Sequence, residues 1–215
     1  MPYNQLEELI AEADEDAIKA FISSSPGALK TNTSFNVSPL VLSCYYHKSK
    51  ITDLLLQLNP DINFFEACAA NRFDTVAHHV YNNPEIVNEY YDNGYSGLGL
   101  ASYFGNDEIA RYLVLKGAPV NVPSNNEFGV FPLHSAIAGN FTDIARMLIE
   151  NDAEVNVVQM AGITPLHSAA QNGNIELIIL LLEKGALVDS RMEGGKLPAD
   201  LARENGHTEI AEILS

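Results

Sequence analysis

The sequence predicts an all-α stack of short helix-turn-helix units, and three observations carry that prediction. First, a segment recurs at a fixed period: Gly162-Ile163-Thr164-Pro165-Leu166-His167-Ser168-Ala169 returns 33 residues earlier as Gly129-Val130-Phe131-Pro132-Leu133-His134-Ser135-Ala136, and 33 later as Gly195-Lys196-Leu197-Pro198-Ala199-Asp200-Leu201-Ala202. One helix pair cannot bury its own apolar face, so a period of this length marks units that stabilise one another by stacking. Second, an i, i+4 apolar pair is kept in every copy: Ala17/Phe21, Ile51/Leu55, Val76/Val80, Ile109/Leu113, Ile144/Leu148, Leu177/Leu181 and Ile210/Leu214. That spacing turns one helix face toward a neighbour. Third, the punctuation agrees. Pro39, Pro132, Pro165 and Pro198 open the first helices, where an N1 amide has no intrahelical partner to lose. Gly105, Gly173 and Gly206 separate the two helices with a residue that enters a left-handed turn without a side-chain penalty, and Asn140 is the next most tolerant. His47 and Arg72 hold that site in the early copies and are expected to cost roughly 1 kcal/mol each there.

Taken in order, residues 6–29 form an N-terminal cap. Ser38-Pro39-Leu40 opens a unit over 38–63 that closes on Asp61-Ile62-Asn63. The unit over 64–88 starts its first helix almost directly after Asn63, so its leading hairpin is expected to be missing. Units over 94–121, 129–156 and 162–189 follow, and 195–215 form a C-terminal cap, all within a single domain spanning 1–215. Ala101, Ala136, Ala169 and Ala202 in the first helices allow close approach to the next unit. The connection Val122–Phe128 is two residues longer than the one between Asn156 and Gly162, and a longer finger is expected to project, although such an insertion is also tolerated at little cost. Asn63, Asn88, Asn121 and Asn156 recur at one exit position, where an amide can bridge adjacent hairpins.

The Thr164-Pro165-Leu166-His167-Ser168-Ala169 block, the Gly206-His207 pair and the Gly185-Ala186-Leu187-Val188-Asp189 exit resemble the ankyrin repeat family, and the likeness runs along essentially the whole chain. The resemblance implies an all-α ankyrin-repeat solenoid of about seven helix-turn-helix units, degenerate caps included, with short β-hairpin-like loops. It also implies that His134 and His167 hydrogen-bond within or between hairpins, and that partners bind on the concave side, made of hairpin tips and the exposed face of each first helix.

The 215 residues carry 12 Lys and Arg against 28 Asp and Glu, a net charge of −16, with 47% apolar residues. So negative a chain repels phosphate, which excludes nucleic acid and an anionic membrane as partners. No apolar run reaches the roughly 20 residues of a membrane helix, and the start of the chain lacks a secretory pattern, so a cytoplasmic setting is expected. Cys44 and Cys68 fit reduced core thiols better than a disulfide or a metal site. His78 and His79 are adjacent, which on a helix points the rings about 100° apart and makes a poor metal pair. By register His79 replaces a usual Leu. Asp16, Glu108, Asp143, Glu176 and Glu209 share one position in the first turn of the second helix, where a carboxylate stabilises the N-terminus. A thin acidic set, Asp92, Glu127, Glu193 and Glu204, is left near the expected binding side.

That side is populated by aromatics, which thin out after residue 130. Aromatic side chains give an interface large area at small rotamer cost, so the candidate protein-binding set is Tyr45, Tyr46, Tyr95, Tyr103, Phe104, Phe128 and Val130. Phe35, Tyr90 and Tyr91 are equally readable as exposed or as cover for the irregular early units. No phosphate-binding Gly loop, His-Glu-x-x-His or Gly-x-Ser-x-Gly occurs, so neither an enzyme nor any cofactor is expected. The predicted function is a protein-protein interaction module, an adaptor or scaffold that binds a protein or peptide. The alternative is an acidic inhibitor or immunity-type protein that blocks a basic enzyme. A monomer is favoured, with self-association as a third reading.

Overall fold

The computed structural model describes residues 2–215, with side chains from residue 5 onward. Several of its helices begin at a side-chain cap or a proline. The helices are α1 (Pro2–Glu12), α2 (Glu15–Ser24), α3 (Pro39–Tyr45), α4 (Ser49–Leu58), α5 (Phe64–Ala69), α6 (Phe73–Asn82) and α7 (Gly97–Phe104). There follow α8 (Asp107–Leu115), α9 (Pro132–Ala138), α10 (Thr142–Glu150), α11 (Pro165–Asn172), α12 (Ile175–Glu183), α13 (Pro198–Glu204) and α14 (Thr208–Ile213). Ser38, Ser96, Thr164 and Asn174 each accept a backbone N–H from the first turn they precede, and such a cap contributes about 1 kcal/mol. Asp16, Glu108, Asp143, Glu176 and Glu209 all stand in the first turn of the second helix of a pair, where the helix dipole favours a carboxylate. No helix among the described residues is long and apolar enough to cross a membrane.

Each odd-numbered helix packs on the even-numbered helix that follows it. The residue between them is left-handed: Gly105, Gly173 and Gly206, but also Ala13, His47, Asn71 and Asn140. His47 therefore carries the expected strain. Arg72 does not. It caps α6 with φ −107°, and Asn71 takes the positive φ of 56° instead, so a tolerant residue occupies the strained place. The arginine side chain reaches Asp53 at 3.0 Å. The paired apolar positions are buried in α4, α6, α8, α10, α12 and α14. In α2 the buried pair is Ile18/Ile22, with Ala17 and Phe21 only half-buried. That helix packs chiefly on α1 and on the 3-10 turn Pro26–Lys30, which turns a different line of its surface inward.

The packing divides the chain into two compact units, Met1–Ile86 with Tyr91–Asn93, and Val87–Tyr90 with Gly94–Ser215. In the first, α3 packs between α1 and α5. The hairpin expected to be missing is absent: α4 ends at Leu58 and α5 begins at Phe64, capped by a reciprocal Asn63–Glu66 box. Tyr91 covers part of the resulting space. It is 7% exposed, stacks on Phe65 with centroids 5.3 Å apart, and its hydroxyl oxygen accepts the Ser38 N–H at 2.9 Å. Phe35 and Tyr90 stay exposed, so the three uncertain aromatics divide, with Tyr91 alone serving as cover. His79 is half-buried, its Nε2 3.2 Å from the Ile62 carbonyl oxygen. Neither cysteine is in a disulfide. Burial pushes the Cys44 thiol up to about 11 and the Cys68 thiol higher still, which keeps both protonated.

In the second unit α7, α9, α11 and α13 pack in succession, backed by α8, α10 and α12. His134 and His167 are buried in the first turns of α9 and α11. Each sets Nε2 against a carbonyl oxygen of the next repeat, Ile163 at 3.0 Å and Lys196 at 3.2 Å. Asn121 and Asn156 bridge likewise: their amides donate to the Asp152 and Gly185 carbonyls and accept the Glu154 and Leu187 N–H groups.

Candidate functional site

The fingers that lead into α9, α11 and α13 are short loops closed by backbone pairing. Ser124 N–H donates to Val130 O at 2.8 Å, Gln159 N–H to Ile163 O at 3.0 Å, and Met192 N–H to Lys196 O at 3.0 Å. The span is six residues in the first case and four in the others, which locates the two-residue insertion. The extra residues are taken up by Asn126, whose Oδ1 accepts the Phe128 N–H at 3.0 Å, and by Ser124 Oγ, which accepts the Val130 N–H at 2.8 Å. Successive fingers are strung together by one backbone bond per junction: Asn125 N–H to Gly94 O, Met160 N–H to Phe128 O, and Glu193 N–H to Ala161 O.

This row creates a hollow of about 270 Å³, lined by Tyr95, Phe128, Val130, Met160, Ala161 and Ile163, with Gln159. Phe128 is 42% exposed and Met160 52% exposed. Two large apolar side chains in water at one spot are an unusual use of surface. Ala161 carries a φ of 65° there, followed by Gly162 at 74°. A tight turn with two successive left-handed residues suits Gly at both places, and the next finger has Gly194 and Gly195 at φ 83° and 81°. Backbone strain of about 1 kcal/mol is therefore stored beside the hollow.

Of the seven candidate residues, Tyr95, Phe128 and Val130 meet in this hollow. Tyr103 and Phe104, at the end of α7, pack edge to face with centroids 5.1 Å apart, and Tyr103 is 37% exposed. Tyr95 lies beside them: its ring packs over Gly99, one helical turn before Tyr103. Burial and then the neighbouring Tyr103 hydroxyl push the Tyr95 phenol above its ordinary acidity range. Tyr45 and Tyr46 belong to the first unit, where Asn93 Nδ2 donates to the Tyr45 hydroxyl at 3.5 Å and Tyr46 is exposed. Met160, Ala161 and Ile163 are outside the candidate set. A search for aromatics passes over a Met and two smaller residues, whereas the finger register that places Phe128 also places them.

The first unit has a polar hollow of about 280 Å³ where the hairpin is missing, bordered by Leu29, Asn32, Asp61, Glu66, Tyr91 and Asp92. Among the described residues no three His, Cys, Asp or Glu side chains come together to hold a metal ion.

The family model of ankyrin repeats (three copies) matches residues 64–159 and 154–215, and the chain belongs to the ankyrin repeat family. Over 176 residues, 70% of the chain, it is 28% identical to alpha-latrocrustotoxin-Lt1a of Latrodectus tredecimguttatus, covering 12% of that protein. Over 72 residues, 34% of the chain, it is 36% identical to ankyrin repeat and SOCS box protein 3 of Homo sapiens, covering 14% of that protein. The chain thus spans a small fraction of the length of these relatives. Ankyrin repeats generally serve as protein-protein interaction modules.

Proposed function

We propose that this chain is an adaptor or scaffold that binds a protein or peptide on the finger and first-helix face of its second unit. The observation that carries the reading is the apolar hollow in which Tyr95, Phe128 and Val130 join Met160 and Ile163. Burying one aliphatic side chain there contributes about 1.5–3 kcal/mol, and the adjoining Tyr103–Phe104 pair adds aromatic area of the kind that dominates interface energetics. Strain at Ala161 supports the same reading, since backbone strain collects at binding sites.

The test compares proteins retained from the native host by the full chain and by two variants, Tyr103→Ser/Phe104→Ser and Met160→Asp, each with unchanged thermal unfolding. The reading requires specific partners that the wild type holds and both variants lose. Retention of the same partners by all three, in normally folded protein, removes it.

A further inference from the structure

The hollow is apolar but its rim is not. Glu127 immediately precedes Phe128, and the Glu193 N–H is the group bonded to Ala161 O, so two exposed acidic residues adjoin residues of the lining. Neither takes part in an ion pair among the described residues. The cations of the same finger are engaged within it and its neighbour helix: Arg191 Nη1 donates to Gly195 O at 2.6 Å, and Lys196 Nζ pairs with Glu204 at 2.7 Å. An uncharged apolar segment would use the floor and leave the carboxylates without a complement, and an acidic segment would meet repulsion.

Resting on the docking reading above, we infer that the hollow accepts an extended peptide segment with one aliphatic or aromatic anchor residue flanked by Lys or Arg. The anchor enters between Phe128 and Met160. The flanking cations meet Glu127 and Glu193. Charge supplies selection and a faster approach, while the apolar anchor holds the complex once formed.

Four synthetic nonapeptides test this against the 15N- and methionine-methyl-labelled full chain: a central Leu flanked by lysines, by serines or by glutamates, and a lysine-flanked peptide with a central Ser. The lysine-flanked Leu peptide should bind at least tenfold more tightly than the glutamate-flanked one, with shifts at Tyr95, Phe128 and the Met160 methyl. The central-Ser peptide should lose at least fivefold. Raising the salt should shrink the charge preference without abolishing binding, and Glu127→Lys/Glu193→Lys should reverse it. Equal binding of the three Leu peptides at the hollow overturns the charge assignment and leaves the docking reading standing. Equal binding of the Leu and Ser lysine peptides overturns the anchor. An absence of shifts at the hollow with every peptide overturns both readings.

Discussion

The imidazole of His134 places Nε2 3.0 Å from the carbonyl oxygen of Ile163 while its buried Nδ1 meets no hydrogen-bond partner among the described residues. One repeat later His167 makes the same reach, and there Nδ1 is held by Thr164, at 2.8 Å from Oγ1 and 3.2 Å from the backbone N–H. The difference is a single residue, since Phe131 stands where the later repeat has Thr164, with its ring 5.8 Å from the imidazole. Replacing Phe131 by Thr supplies the missing hydroxyl, and replacing it by Val supplies the same shape without one. Phe131→Thr should therefore be about 0.5–1.5 kcal/mol more stable than Phe131→Val in urea unfolding. Equal stability of the two would mean that the orphan nitrogen costs nothing.

Burial also sets the acid stability. It pushes the His134 imidazole down to about 4, against an ordinary value near 6.5, with the Ile163 carbonyl opposing the shift; His167 moves the same way for the same reason. Between those values the unfolded chain binds the proton and the folded chain does not, so stability rises with pH. The contribution is complete above about pH 6.5 and is lost as pH falls toward 4, about 3 kcal/mol for His134 in full. The diagnostic window is pH 6.5 to 5, above the range where most carboxylates titrate. Stability should fall there, and His134→Gln should flatten the slope. An unchanged slope in that variant would assign the acid sensitivity elsewhere.

Much of the fold was legible because repetition averages away local ambiguity. An apolar pair that recurs from copy to copy outweighs any single propensity, and the pair failed only in α2, whose packing partners differ. The left-handed turn was misassigned by one residue at Asn71 and Arg72 because periodicity fixes a position only to within a residue where the leading hairpin is missing. The site was less legible. Tyr91 and Tyr90 are neighbours in sequence, yet Tyr91 is buried against Phe65 and Tyr90 is exposed, a division that depends on a hole left by an absent hairpin. Met160 and Ile163 share the finger register of Phe128, but that they meet it in one hollow follows from the bond of the Met160 N–H to Phe128 O.

Seven non-glycine residues among those described hold left-handed backbone, His47 at φ 53° and Ala161 at φ 65° among them. Glycine relieves such strain by about 1–2 kcal/mol, partly offset by the freedom it adds to the unfolded chain. His47→Gly and Ala161→Gly should each stabilise by about 0.5–1 kcal/mol. The reverse change at Gly105, whose φ is 75°, should cost more than that, because an added Cβ would overlap the Phe141 ring as well. Calorimetric melts of the three variants check the ordering, and a Gly105→Ala variant as stable as wild type would contradict it.

The exit asparagines divide by role in a way that exchange can read. Asn121 and Asn156 each make two bonds to the following repeat, donating to Asp152 O and Gly185 O at 2.8 and 2.9 Å, and accepting from the Glu154 and Leu187 N–H groups at 2.8 and 2.9 Å. Asn63 instead caps its own α5, accepting the Glu66 N–H at 2.9 Å. Losing a bridge removes two hydrogen bonds worth about 0.5–1.5 kcal/mol each, and losing the cap costs about 0.5–2 kcal/mol. Global stability cannot separate the roles. Amide exchange does: Asn121→Ala should release the Glu154 amide, and Asn156→Ala the Leu187 amide, each one repeat away from the change. Asn63→Ala should release the Glu66 amide within its own helix. Were the Glu154 and Leu187 amides to keep their protection, the bridges would be incidental to how successive repeats are held together.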